Sequence, residues 1–199
     1  MTHSPRVAYL LPHPMFRSIR PPLLAVAAVA IVGCGDDFQL PPATFPNVVQ
    51  TASLFALDGT PIGLPSAFHI ERRIVVRTDQ TPIFDFVYNV DTLGRSVLLP
   101  TEVVGLGRGS GIRLSSTAFD SIEVAPVGEY VDTLPVAVNV GTVALIRSRP
   151  VQCNFGATLP YYAKLEVTAI DTAARRLDFK ILTNINCGYR GLEPGFPKR

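Results

Sequence analysis

Strict alternation of apolar and polar residues is the feature that most limits how this chain can fold. The segment FDFVYNVD alternates at residues 84–91, with an apolar face of Phe84, Phe86, Tyr88 and Val90 and a polar face of Asp85 and Asn89. The segment LDFKIL does the same, with Leu177, Phe179 and Ile181 against Asp178 and Lys180. A period of two is typical of β-strands that bury one face. The chain is therefore predicted to form half-buried strands.

A third alternating segment, YYAKLEVTAI at residues 161–170, predicts a hairpin with the strand at 177–182. Its inward face is expected to carry Ala163, Leu165, Val167 and Ala169, and its outward face Lys164, Glu166 and Thr168. The short connection DTAARR, residues 171–176, separates the two segments. Two alternating runs joined by a short polar turn favour an antiparallel hairpin.

The rest of the chain after residue 47 fits the same fold class. Further strands are predicted at 73–78, 96–100, 121–125, 135–140 and 142–149, with a turn at Asp58-Gly59. Residues 48–57 fit either a helix or a strand, and the strand is favoured. The sequence is 47% hydrophobic and 17% charged, which is too apolar for a disordered chain, and it contains eighteen prolines and fifteen glycines. Short strands separated by turns predict one all-β domain, an antiparallel β-sandwich or a barrel-like fold, at 48–199.

The first 33 residues have the pattern of a secretory signal. Arg17 and Arg20 precede an uncharged apolar run from Pro21 to Gly33, thirteen residues long. A membrane-spanning helix needs roughly 20 such residues, so this run is too short to span. A basic start, a short apolar region and a small residue at its end are typical of a signal peptide. Met15 offers a shorter leader of conventional length, and we expect translation to start there.

The end of this run resembles the lipobox of bacterial lipoproteins. The tetrad IVGC consists of Ile31, Val32, Gly33 and Cys34. The resemblance implies cleavage of the signal peptide 1–33 and acylation of Cys34, so that the lipid bilayer is a partner of the protein. Gly35 follows where an Asp would imply retention in the inner membrane. The resemblance therefore implies a place in the cell envelope, with the outer membrane favoured.

The acylation of Cys34 also resolves an odd number of cysteines. Residues 34–47, the acylated Cys and a proline-rich stretch, are predicted to be an extended tether. Cys153 and Cys187 remain and flank the predicted hairpin. An exported domain permits a disulfide between them, and two free buried thiols are the alternative. The tail at 184–199 is expected to be irregular and held at Cys187.

Charge gives no support for nucleic-acid binding. Three of the eighteen basic residues, and no acidic residue, lie before Cys34. Removing those three leaves fifteen basic residues against sixteen acidic ones, so the domain is nearly neutral. Nucleic-acid binding relies on a marked basic excess. No nucleic-acid partner is predicted.

Residues that could carry chemistry are few. His69 is the only histidine after Cys34, and no G-x-S-x-G nucleophile motif occurs, so His69 is interpreted as a strand residue. The loop GLGRGSG at 105–111 lacks the Gly-Lys-Ser/Thr ending of a phosphate loop and is predicted to be a hairpin loop. Asp36 and Asp37 lack the spacing of a calcium loop. No catalytic residue, metal or cofactor is predicted.

Two side-chain groups remain as possible binding residues. Arg147 and Arg149 are expected on one strand face, where they could meet an anion, although pairing with nearby carboxylates is commoner. Tyr161, Tyr162 and Tyr189 could line a carbohydrate or partner site, or be ordinary strand aromatics.

The C-terminal strands also resemble those of HmuY-type lipoproteins, which are all-β haem-binding proteins of the outer membrane. The similar stretch runs from GTVALIRSR at 141–149 to YYAKLEVTAIDTAARRLDFKIL at 161–182. The resemblance implies an all-β architecture. It does not extend to the haem, because that family binds iron through His or Met, and this chain has one His and no Met after Cys34.

The sequence therefore predicts a membrane-anchored envelope lipoprotein that acts as a non-enzymatic binding or structural module, with an envelope protein as a possible partner. The alternative is a carrier of haem or another small hydrophobic ligand in a cleft of the β domain. A third possibility is a hydrolase that uses His69.

Overall fold

The fold is a two-sheet antiparallel β-sandwich, seen in a computed structural model that describes residues 40–198. In chain order the strands are β1 (Val49–Phe55), β2 (Ala67–His69), β3 (Ile74–Val76), β4 (Phe86–Val90), β5 (Ser96–Pro100), β6 (Gly111–Ser115), β7 (Val136–Ala137), β8 (Val143–Gln152), β9 (Thr158–Asp171) and β10 (Arg176–Asn184). Sheet 1 has the order β1-β10-β9-β8-β6, and sheet 2 has the order β3-β2-β4-β5-β7. The all-β prediction is confirmed, with a sandwich rather than a barrel.

The main core lies between the two sheets and is centred on three phenylalanines. Phe68 and Phe86 of sheet 2 stack with ring centroids 5.6 Å apart. Phe179 of sheet 1 meets both rings edge-on, at 5.8 and 6.1 Å. Such pairs add about 0.5–1.5 kcal/mol each beyond the burial of their area. The alternation read from the sequence thus places Phe86 and Phe179 in the same core.

The predicted hairpin is confirmed as β9 and β10, but a β-bulge changes one of its faces. Asp178 pairs with Ala169 and Phe179 with Val167, which leaves Thr168 without an opposite residue. An extra residue in one strand reverses the alternation beyond it. Ala169, predicted to point inward, is therefore exposed, and Ile170 packs against the core instead.

Several strand predictions differ from the structure. The predicted strand at 121–125 is wrong, because a 3₁₀ turn at Phe119–Ser121 leads into irregular chain with one bridge at Val124. Only two residues of the predicted strand 135–140 form β7, and β6 was not predicted. These strands are short and sit at sheet edges, so their pairing depends on distant residues rather than on local pattern.

A third layer covers the outer face of sheet 1 and buries a side chain predicted to face solvent. Phe119, Ile122 and Ala125 pack there against Tyr162 and Leu182. Lys164, predicted outward, is buried beneath this layer, where its Nζ donates a hydrogen bond to the Ile122 carbonyl at 2.9 Å. The Phe119 ring receives both the Lys164 and the Lys180 ammonium groups, at 4.7 and 4.5 Å.

The N-terminal predictions fall largely outside the described residues. The signal peptide 1–33, Cys34, Asp36 and Asp37 all lie there. Among residues 40–198, no helix has the length and apolar character needed to cross a bilayer.

Candidate functional site

A network of hydrogen bonds from buried polar side chains holds the segment that leads into β1. We call it the N-terminal junction: residues 40–47 docked on residues 184–195. Its foundation is the disulfide between Cys153 and Cys187, whose Cα atoms are 5.9 Å apart. The pairing predicted from the cysteine count is confirmed. The bond ties the loop after β8 to the irregular tail, as expected for residues 184–198.

The first contacts of the junction come from the two residues after Cys187. The Tyr189 hydroxyl donates a hydrogen bond to the Pro41 carbonyl at 2.8 Å. Gly188 has a φ of +82°, and a Cβ there would lie 2.5 Å from the Leu40 side chain. Both the left-handed backbone and the close approach of Leu40 therefore require glycine at 188.

Three buried asparagines complete the junction. The Asn186 Oδ1 accepts hydrogen bonds from the Thr44 and Phe45 amides at 2.7 and 2.9 Å, and its Nδ2 donates to the Phe45 carbonyl at 2.8 Å. The Nδ2 groups of Asn47 and Asn184 both donate to the Gly191 carbonyl, at 3.0 and 2.8 Å. Buried amides that satisfy backbone groups in this way fix the path of an otherwise irregular chain.

The tether prediction therefore needs correction. The backbone of Asn47 also pairs with that of Gly195 through hydrogen bonds of 2.7 and 3.0 Å. Residues 41–47 are thus part of the domain rather than a free extended tether, and residues 34–39 lie outside the described part. Partners more than 140 residues apart made this docking invisible to a reading of local composition.

The cavity at the junction is small. Pro41, Phe45, Phe155, Tyr161 and Tyr189 contribute to the walls of a space of about 90 Å³. Sites for drug-sized ligands have volumes of roughly 300–1,000 Å³, so this space suits a few water molecules at most. The junction is consequently a structural joint and not a ligand pocket.

The predicted tyrosine group is divided between two places. Tyr161 and Tyr189 both line the junction cavity. Tyr162 instead lies under the third layer, with its ring centroid 6.3 Å from that of Tyr130. The three tyrosines therefore do not form one binding surface.

A buried carboxylate connects the two sheets. Asp85, only 2% exposed, accepts hydrogen bonds from the Ile70 amide at 2.7 Å and the Arg149 amide at 3.0 Å. The Arg149 Nε lies 3.4 Å from the same carboxylate. Burial raises the pKa of Asp85, and the two amides and the Arg149 guanidinium oppose this rise. Asp85, predicted on the solvent face of its strand, instead joins sheet 2 to β8 of sheet 1.

A second bulge lets Arg149 make this contact. Arg147 pairs with Tyr162 and Pro150 with Pro160, so Ser148 and Arg149 together face one residue of β9. The Ser148 hydroxyl accepts the Tyr161 amide at 2.8 Å and donates to the Arg149 carbonyl at 2.6 Å. Because the bulge breaks the alternation, the predicted shared face of Arg147 and Arg149 is wrong. The Arg147 guanidinium lies over the Tyr130 ring at 5.2 Å instead.

His69 ends β2, as its interpretation as a strand residue requires, and is 3% exposed. Its Nε2 has no hydrogen-bond partner and lies 3.7 Å from a Glu71 carboxylate oxygen. Burial lowers the pKa of His69, although the Asp85 carboxylate acts in the opposite direction. Among the described residues, no nucleophile is hydrogen-bonded to this nitrogen.

Acid is expected to destabilise the domain through His69. A buried imidazole with a lowered pKa binds a proton more readily in the unfolded chain than in the folded one. The contribution of His69 to the free energy of unfolding is therefore complete above its unfolded pKa of 6.5 and is lost as the pH falls below that value. We expect the free energy of unfolding, relative to that of His69→Gln, to fall by up to about 1.4 kcal/mol per pH unit. Urea denaturation of both proteins on either side of that pH measures it.

The comparison with His69→Gln cancels the contribution that other charged groups near the imidazole make to the pH dependence of stability. The charged groups that act on the imidazole are Asp85, Glu71, Arg72 and Arg149. All four are present in both proteins, so their effects largely cancel in the difference. Parallel pH profiles for the two proteins would contradict the prediction.

The glycine-rich loop is closed by its own hydrogen bonds. The Thr101 hydroxyl donates to the Gly107 carbonyl at 2.9 Å and accepts the Ser110 amide at 3.2 Å. The Ser110 hydroxyl in turn accepts the Thr101 amide at 3.1 Å. These bonds occupy groups that a phosphate cradle would need, and Gly111 already begins β6. The loop therefore connects two sheets and is not the predicted hairpin loop.

A partly apolar depression lies between the edge strands β6 and β7. This edge groove has a volume of about 540 Å³, and its apolar lining includes Ile112, Leu114, Val131, Leu134 and Val136. Leu114 and Leu134 are 50% and 63% exposed. An ion pair of 2.8 Å between Arg113 and Glu129 borders it. The sequence analysis missed this groove because β6 was not predicted.

The described residues 40–198 contain no group of three or more His, Cys, Asp or Glu side chains that could hold a metal ion. No protein-family model matches the chain, and a search of curated proteins finds no significant match. Function must therefore be inferred from the residues and their geometry.

Proposed function

We propose that the protein is a lipid-anchored module of the bacterial cell envelope, with a binding or structural role and no enzymatic activity. The observation that carries this proposal is the tetrad IVGC at the end of an apolar run preceded by arginines. Diacylation or triacylation of Cys34 would hold the domain on a bilayer stably, since each buried methylene contributes about 0.8 kcal/mol.

The domain has two features suited to such a place. Its disulfide joins Cys153 to Cys187, and disulfides persist in the oxidising periplasm or at the cell surface. Its N-terminal segment is docked from Leu40 onward, only six residues beyond Cys34. A short attachment of this kind keeps the body close to its anchor. Gly35 favours the outer membrane over the inner membrane.

Replacing Cys34 tests the anchor directly. In a bacterial host supplied with labelled palmitate, we expect the natural protein to incorporate label and to begin at Cys34 once the signal is removed. Cys34→Ser should incorporate no label. It should also lose the salt-resistant association with membranes that the natural protein shows. Label incorporation and the mass of the purified protein measure both effects.

The chain supplies a matched control for this experiment in its other two cysteines. The double variant Cys153→Ser/Cys187→Ser leaves the leader intact and should still be labelled, whatever its folding. Label on the Cys34→Ser protein, or a natural protein that carries none, would contradict the proposal.

The edge groove supports a second candidate, a carrier of a small hydrophobic ligand. Its volume of about 540 Å³ lies in the range of small-molecule sites, and exposed Leu114 and Leu134 line it. His69 does not line this groove and is only 3% exposed, so a haem there would lack its imidazole. A ligand bound without iron coordination fits the groove better than haem does.

A further inference from the structure

Three apolar side chains near the N-terminal junction are exposed to solvent. Phe45, Val48 and Phe196 are 50%, 51% and 65% exposed. The backbone pairing of Asn47 with Gly195 brings their chain segments together, since Phe45 and Val48 flank Asn47 closely and Phe196 follows Gly195. Exposed aromatic residues from two distant parts of the chain, gathered at one place, indicate an interaction surface.

This surface is presented by a firmly held backbone. The amide and the carbonyl of Phe45 both bind the Asn186 side chain, at 2.9 and 2.8 Å. Asn47 is hydrogen-bonded through its side chain to the Gly191 and Glu193 carbonyls, at 3.0 and 2.9 Å. With the backbone held in this way, the side chains of Phe45 and Val48 remain about half exposed. They are therefore available to a partner without further ordering of the chain.

The distance along the chain to Cys34 identifies the partner. Five residues, 35–39, lie between Cys34 and Leu40, and Leu40 is the first described residue. The six steps along the chain from Cys34 to Leu40 can span at most about 20 Å. An acyl group on Cys34 would thus hold the junction within reach of the lipid headgroups.

The charges beside the surface are compatible with headgroups. Lys198, two residues after Phe196, extends into solvent with a side chain 84% exposed, and its Nζ lies 3.5 Å from a Glu193 carboxylate oxygen. The Arg73 guanidinium donates to the Pro46 carbonyl at 2.9 Å. Cations that border apolar side chains are typical of surfaces that lie on a bilayer with anionic lipids.

We propose that the domain lies directly on the bilayer, with Phe45, Val48 and Phe196 inserted at the boundary between headgroups and acyl chains. The inference rests on the proposed acylation of Cys34 and extends it, because the lipid anchor then has a protein surface as its second contact. Two or three acyl chains on Cys34 would already hold the protein on the bilayer, and the apolar surface adds a second contact to that attachment. The rigid junction also fixes which side of the domain faces the membrane.

Tryptophan fluorescence can locate this surface, since the natural chain contains no tryptophan. The variants Phe45→Trp and Phe196→Trp each place a single indole at the proposed boundary. Leu93→Trp is the matched control, at a residue that is 74% exposed beside the turn between β4 and β5. The acylated proteins are bound to phosphatidylcholine–phosphatidylglycerol vesicles whose acyl chains are brominated near the headgroup.

We expect bromine to quench the indoles at 45 and 196 severalfold more strongly than the indole at 93, and aqueous acrylamide to show the reverse order. Equal quenching at all three positions would overturn the proposal. Protection of the indoles at 45 and 196 from acrylamide in native envelopes, but not in pure lipid vesicles, would also overturn it and assign the surface to a protein partner.

A second preparation separates this inference from the acylation. Unacylated protein with a free Cys34 is coupled to vesicles through a maleimide lipid, since the other two cysteines are bonded to each other. Quenching at 196 in this preparation would support the membrane surface even if palmitate labelling at Cys34 failed. Acylated protein that floats with vesicles yet shows no quenching at 196 would refute the membrane surface and leave the anchor intact.

Discussion

Replacing Asp85 with alanine is expected to reduce the free energy of unfolding by about 3–5 kcal/mol. The change removes the acceptor of two amides, those of Ile70 and Arg149, and leaves the Arg149 guanidinium without its partner. Unsatisfied buried donors cost about 1–3 kcal/mol each, and these two lie where the sheets meet. Urea denaturation followed by far-ultraviolet circular dichroism measures the loss.

The chain offers a matched control in Asp79. Its carboxylate forms an ion pair of 2.6 Å with Arg77 at the surface, where solvent screens the charges. Asp79→Ala is therefore expected to change stability by no more than about 1 kcal/mol. Asp85→Asn keeps one acceptor and should lose less than Asp85→Ala. Equal losses for Asp79→Ala and Asp85→Ala would refute the role given to the buried carboxylate.

Removing the disulfide is expected to have an effect of similar size and an additional local consequence. Cys153 and Cys187 are separated by 34 residues, for which loop-closure entropy predicts about 3–4 kcal/mol of stabilisation. In Cys153→Ser/Cys187→Ser we also expect residues 41–47 to detach, because Gly188 and Tyr189 directly follow the lost bond. Denaturation measures the first effect, and hydrogen exchange of the Phe45 amide measures the second.

The control for this experiment is Cys34→Ser, which leaves the bonded pair in place. Its stability and the protection of its Phe45 amide should match those of the natural domain. If the Phe45 amide stays equally protected after the disulfide is removed, the hydrogen bonds of the junction, including those of Asn186, hold it without the bond. The bond would then act on the unfolded chain and not on the docking of the N-terminal segment.

Local sequence was informative where strands are long and contacts are between neighbours. The alternation in β9 and β10 identified the hairpin and the inward Leu165 and Phe179. It failed where an extra residue shifts the register, because the bulges at Thr168 and at Ser148–Arg149 have no local signature. Alternation describes the two faces of a strand, and a bulge exchanges them without changing the composition.

The burial of polar residues could not be predicted from the sequence either. Lys164 and Asp85 looked like solvent-facing strand residues, yet a covering layer buries the first and the β8 bulge satisfies the second. The asparagines of the junction carried no signal, since their partners lie far away in the chain. The disulfide was predicted correctly because that prediction needs only the number of cysteines and the expected compartment.

The pairing of β1 sets the timing of folding. β1 is an edge strand of sheet 1, and its strand neighbour there is β10, with Val49 opposite Leu182. At about 5–20 residues per second of synthesis, the first strand waits roughly ten seconds for its partner. Contacts between such distant segments also make folding intrinsically slow. Sheet 1 therefore cannot be completed until nearly the last strand has been made, which would suit the proposed export of the chain across a membrane before it folds.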